Sequence, residues 1–282
     1  MESPNIDIKY IDIAKIIKDS NSSILKKLPR LVIKWVAKII KQDEMNRILN
    51  KYSEHTGVSF LPQIIKEFNL TLQIEGTENL PDSGKCFFAA NHPFGVIDGL
   101  IITHIVSSKY GILKAIGNDA FMFLPQLRPL IAAVNVYGQS SKEYVKALDA
   151  VYNSDIPITH FPAGEVSRKY NGKIQDNKWQ KSFITKSISS ERDIVPLHFF
   201  GRNSRLFYFI NRMRQIFGIK INIELLLLPR EMFRKRNETI RVVIGKPISH
   251  KTFTEKSTHA EWAQKVRSQV YNLGDRKSNN NI

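Results

Sequence analysis

The spacing of apolar and polar residues changes near residue 70. From about residue 8 to 70 apolar positions recur at helical intervals with short breaks. Within Leu31 to Lys41, the residues Lys34, Lys38 and Lys41 follow a four-then-three spacing. They share one stripe of a helix whose remaining surface is apolar and includes Trp35. Such a helix suits two settings: a bilayer interface, with ammonium groups toward anionic headgroups and Trp at the water boundary, or a packed surface helix with a solvated lysine stripe.

Beyond residue 70 short β-rich runs alternate with helical stretches. The pattern predicts strands at 70–76, 85–91, 112–117, 133–137, 156–161, 193–200, 221–228 and 239–244. It predicts helices at 100–108, 142–153, 179–190 and 259–273. This alternation argues for an α/β fold: a mixed, largely parallel sheet flanked by helices, preceded by a helical segment. The expected division is residues 1–69 as an N-terminal helical segment, 70–274 as the α/β domain and 275–282 as a frayed tail.

Charge narrows the choice of partner. The 282 residues carry a net +16, which calls for an anionic partner: nucleic acid, an acidic membrane surface, or an acidic carrier or substrate. The 16 Phe, 9 Tyr and 3 Trp are ample core material, so the chain folds. A lone cysteine, Cys86, excludes an intrachain disulfide and a zinc site built on several thiolates. Its run, Cys86 to Ala90, reads as a buried strand, so the thiol is a small core group.

The start, Met1 to Asp7, is polar and acidic, unlike a secretory leader, and no run of 18 apolar residues occurs. These features lead us to expect a cytoplasmic protein held peripherally at the inner face of the cell membrane.

The candidate chemistry lies after the Cys86 to Ala90 run. There the chain continues Asn91-His92-Pro93-Phe94-Gly95-Val96-Ile97-Asp98-Gly99 and then turns helical. A histidine and an aspartate thus meet in a strand-to-helix turn, where α/β sheets place ligand sites. Pro93 and Gly95 make the turn sharp enough to fold Asp98 back onto the imidazole. A carboxylate on one ring nitrogen fixes the tautomer and frees the other nitrogen to take a hydroxyl proton. Taken singly, Asp98 is equally a helix cap, and a lone histidine more often bonds its own loop.

Three blocks in order carry a family resemblance: Asn91-His92 with Asp98, then Phe161-Pro162-Ala163-Gly164-Glu165-Val166-Ser167-Arg168, then Ile194-Val195-Pro196-Leu197. Together they resemble the phospholipid and glycerol acyltransferase family, over roughly residues 70 to 248. The resemblance implies a catalytic pair of His92 and Asp98, and a substrate-binding set of Asn91, Gly95, Phe161, Pro162, Gly164, Glu165, Arg168 and Lys181. Arg168 would anchor an acceptor phosphate or carboxylate through paired hydrogen bonds. Lys181 beside Trp179 would favour an anion or thioester oxygen at a helix start, while Trp179 and Phe183 suit a core equally well. No metal and no cofactor are implied; acyl-CoA or an acyl carrier protein supplies the acyl group as co-substrate. The expected partners are an anionic membrane surface, a lipid acceptor and an acyl carrier protein, with no nucleic acid.

The chain departs from the best-known members at three points. Five residues separate His92 from Asp98 where those members have four, and this His-Pro-x-Gly-x-x-Asp-Gly form resembles a branch of aminolipid O-acyltransferases and hemolysin-like proteins. Ala163 stands where the family has Glu, and Glu165 where it has Thr. The stretch from Ala132 to Gly138 lacks the family's arginine, which points away from lysophosphatidate toward another hydroxyl lipid such as a monoacylated amino acid.

Two rival readings use other features. Gly201 to Lys220 holds Arg202, Arg205, Arg212, Arg214 and Lys220 among Phe207, Tyr208, Phe209 and Phe217, with no acidic residue. That mixture suits single-stranded nucleic acid as well as a lipid headgroup layer or an acidic acyl carrier. The altered third block suits a catalytically silent lipid-binding relative. His55, His104, His160, His198, His250 and His259 show no metal-ligand spacing.

Overall fold

The structure, a computed structural model, describes residues 8–20, 26–118, 124–134 and 142–275. The helical N-terminal pattern resolves into α1 (Ile13–Asp19), α2 (Arg30–Ile39), α3 (Gln42–Lys51) and α4 (Phe60–Glu67). The alternating region follows as β1 (Thr71–Glu75), β2 (Cys86–Ala90), α5 (Val96–Tyr110), β3 (Lys114–Asn118), β4 (Ile131–Val134), α6 (Lys142–Asn153) and β5 (Ile158–His160). The chain continues with β6 (Arg168–Tyr170), β7 (Lys173–Gln175), α7 (Ser182–Ser189), β8 (Asp193–Phe199), α8 (Arg205–Ile216), α9 (Leu228–Phe233), β9 (Thr239–Ile244) and α10 (His259–Asp275).

Seven strands form one sheet in the order β1-β9-β8-β2-β5-β3-β4. All adjacent pairs are parallel except β8 with β9, which is antiparallel. The sheet is therefore mixed and largely parallel, as the alternation predicts. The central strand β2 is buried along its whole length, as a strand covered on both faces must be. Its side chains divide by parity: Phe88 and Ala90 face a core with Phe60, Leu61, Phe68, Ile97, Ile101 and Val195. Phe87 and Ala89 face a second core with Trp179, Phe183, Ile194, Val266 and Val270. Helices α3, α4 and α5 cover the first face, while α7 and α10 cover the second.

The N-terminal helices share the main core: α3 contributes Ile48 and Leu49, and α4 Phe60, Leu61 and Ile64. Arg47, Lys51 and Tyr52 converge on Glu67 at 2.7, 2.6 and 2.9 Å, tying α3 to α4.

One predicted strand is corrected. Residues 221–228 are not a strand; they form a 3-10 turn at Ile223–Leu227 that runs into α9, with Pro229 in the first turn of that helix. A short apolar run cannot be told from a buried helical one by periodicity alone. Here Glu224 sits inside the run fully buried, and arginines from other elements pair with it. The β6 to β7 hairpin is an addition to the predicted elements. The predicted strand at 133–137 corresponds to β4 only as far as Val134, the rest lying outside the described residues, as does most of the expected tail.

Candidate active site

β2 ends at Ala90, and the next five residues build a turn that leads into α5. Asn91 is spent on holding that exit: its Nδ2 donates to the Phe199 carbonyl at 2.9 Å, and the Phe199 N–H donates to its Oδ1 at 2.7 Å. Asn91 thus continues the β2 to β8 pairing by one side chain. At Gly95 the backbone takes φ +91 and ψ −91, a conformation L side chains avoid. A Cβ there would lie 2.8 Å from Leu228 Cδ2 and 3.1 Å from Val166 Cγ2. We expect Gly95→Ala to lose about 1–3 kcal/mol of stability and most activity. Adding Leu228→Ala should recover only part of the loss in a thermal melt, because the backbone strain persists.

Asp98 occupies the third position of α5 and is fully buried. Its Oδ2 accepts the Phe94 and Gly95 N–H groups at 2.9 and 3.3 Å, and its Oδ1 accepts the Gly99 N–H at 3.0 Å. The cap and the catalytic reading are therefore one arrangement: amides hold the carboxylate, and the carboxylate meets the imidazole. His92 Nδ1 lies 3.1 Å from Asp98 Oδ1, at an oblique angle that leaves no aligned hydrogen bond. Nδ1 is shut off from solvent, so the 16% exposure of the side chain lies elsewhere on the ring. Phe161 stacks on the imidazole with centroids 3.8 Å apart and planes 21° apart. Nearby His160 is pushed down to about 4 by burial and then by the charge of His92, so it stays neutral and does not oppose an imidazolium.

The third block forms the opposite wall. Phe161 reaches the ring, Pro162 accepts the Gln180 N–H at 2.9 Å, and Gly164 closes a tight turn at φ +70 with its N–H on the Phe161 carbonyl. Glu165 accepts from Tyr170 at 3.2 Å and Asn177 at 2.9 Å, which ties it to its own hairpin. Lys181 is exposed immediately before α7.

Arg168 requires correction as an acceptor anchor. It is 2% exposed, its Nε and Nη2 lie 3.2 and 3.0 Å from Glu224 Oε1, Nη1 donates to the Val166 carbonyl, and the guanidinium lies over Phe207. No donor is left facing an open site. Its partner lies 56 residues away, so no local signal marked it as a buried arginine.

Two residues that support the histidine went unassigned in the sequence. The Ser167 N–H donates to the His92 carbonyl at 2.8 Å, and the His92 N–H donates to Asp176 Oδ1 at 3.1 Å. Trp179 is a core residue whose indole N–H also reaches Asp176 Oδ2 at 2.9 Å. The signal available was the Asp-x-x-Trp spacing itself. Cys86 is a buried thiol raised by burial to about 12 and lies in the core as expected. Among the described residues no cluster of three metal-ligating side chains occurs.

With this geometry in place, comparison with known proteins decides the family. The family model described as acyltransferase matches residues 15–279. The chain belongs to the acyltransferase family. The match extends through the N-terminal helices, which the motif resemblance alone leaves out. The acyltransferase is 42% identical over 267 residues to a lyso-glycine lipid O-acyltransferase from Phocaeicola vulgatus, covering 94% of this chain and 96% of that one. It is 40% identical to a protein of the same name from Bacteroides thetaiotaomicron, covering 93% and 97%. Among solved structures, the acyltransferase matches the 1-acyl-sn-glycerophosphate acyltransferase of Thermotoga maritima with a TM-score of 0.48 and 13% identity, over 94% of this chain and 87% of that one.

Proposed function

We propose that the protein transfers a fatty acyl chain from an acyl thioester, on coenzyme A or an acyl carrier protein, to the hydroxyl of a lyso-glycine lipid or related monoacylated amino acid. The observation that carries this reading is the His92 imidazole, with the buried Asp98 carboxylate 3.1 Å from Nδ1 and Phe161 stacked on its face. His92 takes the hydroxyl proton as the oxygen attacks the thioester carbonyl; the C–S bond breaks, and the proton passes to the departing thiolate. Asp98 stabilises the imidazolium between these steps. The names of the two curated relatives support the acceptor class. The test is expression in a host without a homologue, comparing total lipids for wild type and His92→Ala. An acylated aminolipid found only with wild type supports the reading, and no new lipid with either chain defeats it. Purified acyl-CoA and acyl carrier protein thioesters, offered separately, identify the donor.

The same reading places the enzyme on an anionic bilayer. No helix among the described residues is long and apolar enough to cross a membrane. Trp35 on α2 is 65% exposed, and Phe217 and Ile221 after α8 are 69% and 75% exposed. Basic Lys34, Lys38, Arg212 and Lys220 accompany them on the surface. Ile39 of α2 packs on a small core of Val166, Phe207 and Leu227, whose neighbour Leu228 crowds Gly95. The helices α2 and α8 that lead to these exposed groups therefore pack on a small core that reaches Gly95 of the active-site turn. Replacing Trp35, Phe217 and Ile221 by Ser should weaken binding to vesicles containing phosphatidylglycerol by roughly tenfold per side chain, while turnover of detergent-dispersed acceptor stays near normal. Unchanged flotation would remove this surface from the proposal.

A further inference from the structure

Asp176 is a buried carboxylate to which neither the sequence motifs nor the acyl-transfer chemistry assigns a role. It follows β7 and is 1% exposed, and no ion pair to it occurs among the described residues. Three donors satisfy it instead: the His92 N–H at 3.1 Å and the Ser167 hydroxyl at 2.5 Å on Oδ1, and the Trp179 indole N–H at 2.9 Å on Oδ2. Ser167 also donates its own N–H to the His92 carbonyl, so both main-chain polar groups of His92 are gripped by this pair. From the other side, the Tyr271 hydroxyl of α10 accepts the Asp176 N–H at 2.7 Å.

Arg267 of α10 donates Nη2 to the Asp176 main-chain carbonyl at 2.7 Å, not to its carboxylate. A buried anion with no cation paired to it directly is costly, and the same contacts to His92 and Ser167 could be made by a neutral acceptor. The choice of a carboxylate calls for a use of its charge. Two features supply one. His92 lies beyond the end of β2, where ladder hydrogen bonds no longer fix its backbone, and its ring must become positive during the reaction.

We propose that Asp176 is a positioning residue for His92: it fixes the main chain of the base and provides a second negative charge, beside that of Asp98, for the imidazolium. This rests on the general-base reading of His92. Burial pushes the Asp176 carboxyl up from the ordinary aspartate range, while the Ser167 and Trp179 bonds, the His92 amide and the charge of the His92 ring pull it back. The carboxylate and the imidazole are thus electrostatically coupled as well as joined through the backbone.

The test is Asp176→Asn in the full chain, with steady-state kinetics against pH. Loss of a charge-assisted hydrogen bond should lower kcat by about ten- to a hundredfold, with KM for the thioester unchanged. The acid limb of kcat/KM should move to lower pH, because removing a nearby anion disfavours the protonated ring. The Asn Nδ2 would face the Trp179 N–H, donor against donor, so Asp176→Asn/Trp179→Phe is the second variant. It should regain any lost melting temperature while kcat and the acid limb stay displaced. Normal kcat with an unmoved limb in either variant overturns the inference, as does recovery of both in the double variant. His92→Ala measured alongside separates the two readings: if it is inactive while Asp176→Asn is normal, only the role of Asp176 fails. If His92→Ala is itself active, the general-base reading fails with it.

Discussion

Replacing His92 by alanine should lower acyl transfer by about a hundred- to ten-thousandfold, the worth of a positioned general base, and leave the fold intact. The stability change should be modest: the largely buried ring makes no aligned hydrogen bond to Asp98, and losing its stack on Phe161 costs roughly 1 kcal/mol. The Asp98 carboxylate keeps its three amide donors in the variant and stays capped at the start of α5. Purified wild type and variant, matched by circular dichroism and melting temperature, are compared for transfer of a labelled acyl chain to a lyso-glycine lipid. Near-normal transfer by a folded His92→Ala would require another base, and the mechanism would be withdrawn.

The second large effect is on stability. Arg168→Ala removes one partner of a buried ion pair and leaves Glu224 with Asn211 at 3.1 Å and Arg214 at 2.9 Å. Breaking such a pair costs about 3–5 kcal/mol; the two surviving contacts place the expected loss at the lower end, a fall in melting temperature of roughly 5–10 °C for a chain of this size. Below the transition, KM for the acceptor should be unchanged. A selective rise in that KM with an unaltered melt would return Arg168 to the role of acceptor anchor. Arg168→Lys should not rescue, since an ammonium cannot serve Glu224 and the Val166 carbonyl through one planar fork.

These variants separate what was legible in the chain from what was not. The strand at Cys86–Ala90, the turn after it and the approach of Asp98 to His92 were legible because each rests on local chemistry. An all-apolar run, a Pro and a Gly in a short turn, and an acidic group in the first turn of a helix are signals within a dozen residues. Arg168 was not legible, because a buried arginine and an exposed one differ only in what lies opposite, and Glu224 is remote in sequence. Glu224 itself hid inside an apolar run that imitates a strand. The hairpin of β6 and β7 escaped because its strands are three residues long and largely polar, which gives no period to detect. Helix α8 was masked by its arginines and aromatics, whose mixture suggested a binding surface before it suggested a helix, though Phe207 and Asn211 are buried one turn apart on its inner side.

The position of β1 bears on how the protein is made. Among the described residues its one neighbour in the sheet is β9, with Thr71 opposite Thr239, so an early strand must wait for a late one. A ribosome delivers about 5–20 residues each second, so for roughly ten seconds or more the nascent chain presents α2, with Leu31 and Trp35, before the sheet can close. Pairing over so long a separation is slow. The β1 edge of the sheet therefore stays unpaired until β9 has been made.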